Sequence, residues 1–209
     1  MAGRELRAGV NWLALLLAVA GAAPAPAPEP PDPPRPRSVA LGTPTDGHLR
    51  HGVRLPARAS ALRTWDPILH RSPSRAWRRN GTDRLVATLR RVARAHARAH
   101  PQAPPLLVGD LSRPRGGDFG PRYGIIGHAS HQNGLDADVY YPRADGRAEP
   151  PGSLAEADRA LSRSLVRRFA RAGASLIYLS PGLGLGGGVL APIGGHEDHL
   201  HVRLRERAR

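Results

Sequence analysis

The stretch HQNGLDADVYY, residues 131–141, decides the fold prediction because it joins a chain reversal to a strand. From Leu135 to Tyr140 the sequence alternates around two aspartates, as expected of a β-strand. Successive side chains of a strand point to opposite faces, so Asp136 and Asp138 share one face. This face of the strand therefore carries two carboxylates.

A second strand is predicted near the end of the chain, within GGHEDHLHVRL, residues 194–204. The sequence alternates from Leu200 to Leu204, and His199 and His201 project from the same face of this strand. If the two strands are neighbours in one sheet, an aspartate and a histidine meet across it.

Two segments have the apolar periodicity of helices that cover a sheet. The first is capped by Thr82, begins at Asp83 and ends before Pro101. The second opens with a capping box at Ser153–Glu156, and Gly173 can end it.

Short apolar runs at 106–108 and 175–179 predict further strands, and Gly- and Pro-rich loops occupy 112–127 and 180–195. These runs are too irregular for a repeating β-α-β-α pattern. We therefore predict an α+β fold, with a small, mainly antiparallel sheet and flanking helices.

The composition narrows the classes of partner and site. The chain has 31 basic residues, all of them Arg, against 17 acidic ones, and a formal net charge of +14. This excess favours contact with polyanions, but no zinc knuckle, aromatic stacking motif or basic helix repeat indicates specific nucleic-acid binding. Without cysteines, a metal ion must be held by His, Asp or Glu.

The first residues have the pattern of an export signal. Arg4 and Arg7 precede an apolar run at 12–20, and small residues follow at 20–22. The run is shorter than the roughly 20 residues that span a bilayer, which favours cleavage over an uncleaved anchor and predicts no transmembrane span in the mature form. We predict a signal peptide at 1–22, a Pro-rich linker at 23–37 and one domain at 38–206.

Histidines mark the candidate site, since five of the ten lie within 125–143 and 194–204. Gly134 lets the backbone turn sharply, so His131 can fold back over the strand that carries Asp138. With His201, two nitrogens and one carboxylate oxygen then converge, as a catalytic zinc with an open water position requires. Taken singly, each of these residues is more often a hydrogen-bonded core group or a cap.

Both segments resemble a known family. HASHQNGLDADV and HEDHLHVRL are similar to the penicillin-insensitive murein endopeptidases, within the zinc peptidase group of lysostaphin, the D-alanyl-D-alanine peptidases and the hedgehog domain. GTPTDGHLRHGVRL, NGTDRLVATL and PPLLVGDLSRPRGG share the resemblance, which covers about residues 40 to 205.

The resemblance implies a function and a role for each histidine. It implies a zinc site on one face of the sheet and hydrolysis of peptidoglycan cross-links between D-alanine and meso-diaminopimelate. The export signal predicts that the protein acts in the periplasm or outside the cell. His199 would be the general base, His196 could share that role, and His128 could bind the oxyanion or a substrate carboxylate. The implied zinc ligands are His131, Asp138 and His201.

Other functions stay open at this point. A carboxypeptidase or dipeptidase acting on D-alanyl termini, or an L-alanyl-D-glutamate peptidase, would keep the zinc and change the bond. Those groups tend to place Glu where this chain has Asp198. A non-catalytic wall-binding zinc module is the remaining alternative, and the sequence does not predict an oligomeric state.

Overall fold

The computed structural model of the chain describes residues 37–123 and 127–206. The predicted signal peptide at 1–22 and the predicted linker at 23–37, apart from Arg37, lie outside the described residues. Both therefore remain predictions.

Eleven strands and two helices form within the described residues. In chain order they are β1 (Val39–Thr43), β2 (Asp46–Arg50), β3 (Val53–Arg54), β4 (Arg58–Ala59), β5 (Leu62–Thr64), β6 (Asn80–Gly81), α1 (Asp83–Ala99), β7 (Leu106–Val108), β8 (Asp136–Tyr140), α2 (Arg159–Arg171), β9 (Ala174–Leu179), β10 (Leu190–Pro192) and β11 (His199–Leu204).

The main sheet has the strand order β10-β9-β11-β8-β7-β5-β4 in the part of the chain that the structure describes. Its pairs are antiparallel except β9 with β10 and β5 with β7. The prediction of a mainly antiparallel sheet with two helices is confirmed. The sheet is larger than predicted, because several of its strands are only two or three residues long and carry no recognisable alternation.

Helix α1 follows the sequence prediction. It begins at Asp83, and the Thr82 hydroxyl accepts a hydrogen bond from the Leu85 backbone N–H at 3.2 Å. This cap satisfies one of the unpaired N–H groups of the first turn. Its apolar stripe, which includes Leu89 and Val92, is buried in the hydrophobic core.

The predicted start of the second helix is wrong. Helix α2 begins at Arg159, and its cap is Asp158, whose carboxylate accepts from the Leu161 N–H at 2.9 Å. The Glu156 carboxylate does not close a capping box with Ser153. It accepts hydrogen bonds from Gly152 N–H at 2.9 Å and from an Arg143 N–H at 2.6 Å, within a turn that precedes the helix.

Strands β8 and β11 are antiparallel neighbours, and their register separates an apolar face from a polar one. Ala137 and Val139 of β8, with Leu200 and Val202 of β11, are fully buried in the core. On the opposite face, His201 lies across from Asp138. Sliding either strand by one residue would move the core side chains to the polar face, so burial of the core fixes this pairing.

The first two strands form a hairpin. Strands β1 and β2 pair antiparallel, and His48 lies in β2. The side chains of His48 and His51 are exposed.

Candidate metal centre

Three side-chain atoms converge on the polar face of β8 and β11. The Asp138 Oδ1 lies 3.1 Å from the His201 Nδ1 and 3.3 Å from the His131 Nε2. The two imidazole nitrogens are 3.2 Å apart. The structure thus brings together the three residues that the sequence predicts as metal ligands.

The backbone around His131 explains how it reaches the strand. His131 has a φ of +68° and Gly134 a φ of +77°, so the chain reverses sharply before β8 begins. The imidazole of His131 is fully buried, and its Nδ1–H donates to the Leu111 carbonyl oxygen. Because a carbonyl only accepts, this bond leaves the Nε2 lone pair directed at the cluster.

The Asp136 carboxylate contacts both histidines of the cluster. It accepts from the Arg203 Nε at 2.7 Å and from the His131 backbone N–H at 3.1 Å, and it lies 3.3 Å from the His201 Nε2. Burial raises the pKa of Asp136, but its contacts with His201 and Arg203 outweigh burial and bring the pKa well below the usual range. A buried carboxylate behind an imidazole is a common support for a metal-binding histidine.

The three converging side chains shift one another's pKa. Burial raises the pKa of Asp138, and the neighbouring imidazoles of His131 and His128 outweigh it and lower the pKa well below 3.8. Burial lowers the pKa of His131, whereas Asp136 and Asp138 overcome burial at His201 and raise its pKa to about 9. A metal ion that binds here would displace a proton from His201.

The two other histidines of the second segment lie beside this cluster. His199 donates from Nδ1 to the Asp198 carboxylate at 2.6 Å, and its Nε2 is 4.0 Å from the Asp138 Oδ1. Burial lowers the pKa of His199, but Asp198 and Asp138 raise it above 6.5. The His196 ring centroid is 4.9 Å from that of His199, and burial and the neighbouring His199 lower the pKa of His196.

His128 borders the cluster on the opposite side. Its Nδ1 is 3.6 Å from the Asp138 Oδ2, and its ring lies 4.4 Å from the ring of His131. His128, His131 and Asp138 form a second set that could hold a metal ion, with ligand atoms within 4.8 Å of one another. The His131–Asp138–His201 set is tighter, and His128 already binds the Asp110 carboxylate through Nε2 at 2.8 Å.

Sequence reasoning missed several residues of this face. Asp110 lies two residues after the end of strand β7, and nothing local in the sequence connects it with Arg78 or His128, which it binds. Tyr178 lies across from His201 on β9, with ring centroids 5.7 Å apart, and Tyr140 lies across from His199 on β8. Burial and the nearby carboxylates raise the pKa of Tyr140 well above 10.

Comparison with known proteins places the chain in a family. The sequence model of the penicillin-insensitive murein endopeptidases matches residues 40–174. The chain belongs to this family. A penicillin-insensitive murein endopeptidase of Haemophilus influenzae is 32% identical over 129 residues, which cover 48% of this chain and 43% of that protein. The match thus spans less than half the length of that relative.

The family match includes part of the candidate site. His128, His131 and Asp138 lie within residues 40–174, whereas His196, His199 and His201 lie beyond them. The inclusion of these last three in the site therefore rests on their geometry. Neither helix in the described part of the chain is long and apolar enough to span a bilayer.

Proposed function

We propose that this chain is an exported zinc metallopeptidase that hydrolyses the peptide cross-links of peptidoglycan, between D-alanine and the side-chain amine of meso-diaminopimelate. The observation that carries the proposal is the convergence of His131, Asp138 and His201 on a sheet face that also holds His199. Family membership and the name of the Haemophilus influenzae relative support the substrate class.

The three converging atoms fit a tetrahedral zinc ion. Ligands bound at 2.0–2.1 Å in a tetrahedron lie about 3.3–3.4 Å apart, and the three separations here are 3.1, 3.3 and 3.2 Å. Two imidazole nitrogens and one carboxylate oxygen are also a ligand set that zinc accepts, with a fourth position for water. His131 would bind through Nε2 and His201 through Nδ1.

A zinc ion held by His131, Asp138 and His201 would supply a Lewis acid for the scissile carbonyl and would lower the pKa of the attacking water. The residues of the chain provide the rest of the reaction. The Leu111 carbonyl holds the ring of His131, and the Asp136 carboxylate lies 3.3 Å from the His201 Nε2, which leaves the Nδ1 of His201 facing the cluster.

His199 is the general base in this proposal. Its Nδ1–H is bonded to Asp198, so the Nε2 lone pair faces the cluster and can accept the proton of the attacking water. The Asp198 carboxylate stabilises the resulting imidazolium, which then gives its proton to the leaving amine. His196 has no carboxylate partner among its hydrogen bonds in the described chain, so we assign it a supporting role.

His128 would bind the substrate on the other side of the reacting bond. Its half-buried ring is held by Asp110 and borders Asp138, where an oxyanion or a substrate carboxylate could approach it. The +14 net charge would favour association with the anionic cell wall, and the predicted signal peptide would deliver the chain to the periplasm.

The proposal is tested by digesting purified cross-linked peptidoglycan with the zinc-loaded chain and identifying the fragments by mass spectrometry. We expect cross-linked dimers to become monomers with a free diaminopimelate amine, and we expect the His199→Ala variant to leave them intact. Survival of the dimers would refute the endopeptidase assignment. Release of terminal D-alanine alone, or cleavage after L-alanine, would instead support one of the other zinc peptidase activities.

A further inference from the structure

A buried carboxylate links the candidate site to the protein interior. Asp110 and Arg78 are only 1% and 2% exposed, and Arg78 binds both carboxylate oxygens of Asp110, with its Nε 2.6 Å from Oδ1. The Asp110 Oδ2 also accepts from the His128 Nε2 at 2.8 Å. This oxygen therefore accepts hydrogen bonds from two side chains, through the Arg78 Nη2 and the His128 Nε2.

This contact determines which nitrogen of His128 carries the hydrogen. A carboxylate paired with a guanidinium is an acceptor only, so the His128 Nε2 must be the donor. In the neutral ring the lone pair then lies on Nδ1, the nitrogen that is 3.6 Å from the Asp138 Oδ2. The Asp110 contact thus turns Nδ1 towards the cluster, where it accepts a hydrogen bond in the neutral ring and donates one to an oxyanion in the imidazolium.

The backbone at Asp110 is hydrogen-bonded to strand β8. The Asp110 carbonyl accepts from the Asp138 N–H at 2.9 Å, and the Leu111 N–H donates to the Arg78 carbonyl at 2.9 Å. The Leu111 carbonyl in turn accepts from His131 Nδ1. Two successive residues therefore orient two histidines of the site, Asp110 through its side chain and Leu111 through its main chain.

Arg78 is itself held in place by its surroundings. Its Nη1 donates to the Tyr123 carbonyl at 2.7 Å, and its guanidinium lies 4.8 Å from the ring centroid of Trp77 and 5.1 Å from that of Phe119. The ring of Phe119 is 5.0 Å from that of His128. This packing leaves the carboxylate of Asp110 little freedom to turn away from His128.

We propose that Asp110, held by Arg78, is a positioning residue. It fixes the Nε2–H tautomer of His128 and so turns the Nδ1 of His128 towards the bound substrate. The inference rests on the proposed function for the role of His128 in catalysis, whereas the tautomer itself does not depend on that function. His128 then acts on the substrate through Nδ1, and Asp110 acts through His128.

The tautomer is measured directly by nitrogen NMR of the chain labelled with ¹⁵N-histidine, at a pH high enough for the ring to be neutral. The signals of His128 are assigned by their loss in the His128→Gln variant. We expect Nε2 to carry the hydrogen and Nδ1 to be bare. A hydrogen on Nδ1 would overturn the proposal, and this measurement requires no variant at Asp110 that folds.

The Asp110→Ala variant tests the link between the carboxylate and the tautomer. The alanine removes the acceptor of the His128 Nε2–H, so the Asp138 Oδ2, 3.6 Å from Nδ1, becomes the acceptor beside the ring and the ring hydrogen moves to Nδ1. We expect this switch in the NMR spectrum and a kcat lower by about 10- to 100-fold, with KM and zinc content little changed. An unchanged tautomer or an unchanged kcat would contradict the positioning role.

Asp66→Ala is the matched control. Asp66 is also fully buried and binds an arginine through both oxygens, with the Arg75 Nε at 2.6 Å and Nη2 at 3.1 Å, but it has no contact with the candidate site among its hydrogen bonds. We expect this variant to keep the His128 tautomer and the wild-type kcat. An equal loss of kcat in both variants would show that Asp110 matters only for stability.

The two proposals fail in different ways. If the unsubstituted chain cleaves no peptidoglycan but shows the Nε2–H tautomer and its switch in Asp110→Ala, the proposed function is wrong and the positioning of His128 stands. If the chain is active and the tautomer is the other one, the positioning role is wrong and the function stands.

Discussion

His96 should make the stability of the fold depend on pH. It lies on α1, is 2% exposed, and neither ring nitrogen has a hydrogen-bond partner among the described residues. Burial, and then the nearby charges of His100 and Arg168, lower the pKa of His96 from 6.5 to about 4. The other polar side chains around the same small cavity come from the end of β8 and the segment that follows it: Tyr140, Tyr141, Arg147 and Glu149.

The sign and the size of the effect follow from this pKa. In the unfolded chain the imidazole takes up a proton near pH 6.5, whereas in the folded chain it stays neutral down to about pH 4. The contribution of a neutral His96 is therefore present above pH 6.5 and is lost as the pH falls towards 4. At about 1.4 kcal/mol for each pH unit, the loss amounts to about 3 kcal/mol at most.

The measurement is urea unfolding of the wild-type chain and the His96→Gln variant at several pH values from about 8 to about 4. The difference in the free energy of unfolding cancels the other titrating groups, and we expect it to move by about 2–3 kcal/mol in favour of the variant as the pH falls. His48→Gln, at an exposed histidine of β2, controls for the loss of a histidine as such. Parallel pH profiles for wild type and His96→Gln would refute the reasoning.

Three further changes have defined outcomes. Asp198→Asn removes a contact that raises the pKa of His199, so the acidic limb of the pH profile of kcat/KM should move to lower pH and the maximal rate should fall. Asp136→Asn weakens the support of His201, and competition with a chelator should show zinc affinity reduced by about 10- to 100-fold. Gly134→Ala places a Cβ 2.9 Å from a buried leucine side chain at a φ of +77°, and thermal unfolding should show a loss of at least about 1 kcal/mol.

The sequence predicts the elements in which periodicity and burial agree. Strands β8 and β11 alternate strictly because one face packs in the core, and α1 has a capping residue followed by an apolar stripe. Strand β10 was missed because it lies in the Gly-rich segment predicted as loop at 180–195. Its three residues show no alternation, and pairing with β9 alone makes them a strand.

The start of α2 could not be predicted because local and long-range contacts compete there. Ser153 and Glu156 have the spacing of a capping box, but Arg143 lies within reach of the Glu156 carboxylate and binds it at 2.6 Å. Arg143 is 13 residues away in the chain, so the sequence near Ser153 gives no sign of it. The helix instead begins at the next residue able to cap it, Asp158.

Some contacts of the candidate site could be predicted from the sequence, and others could not. The meeting of Asp138 with His201 follows from two alternating strands, once the strands are neighbours, and Gly134 indicates how His131 returns to them. The contact between Asp110 and His128 depends on how the loop after β7 folds, and no periodicity encodes it. The roles of the site residues in binding and catalysis remain predictions.

The zinc content of two variants of the HxH pair tests the central claim most directly. Purified His199→Ala and His201→Ala chains, each loaded with zinc and dialysed, are compared by elemental mass spectrometry. We expect about one zinc ion for each His199→Ala chain and almost none for His201→Ala. Zinc lost from His199→Ala and retained by His201→Ala would contradict the assignment of ligand and base.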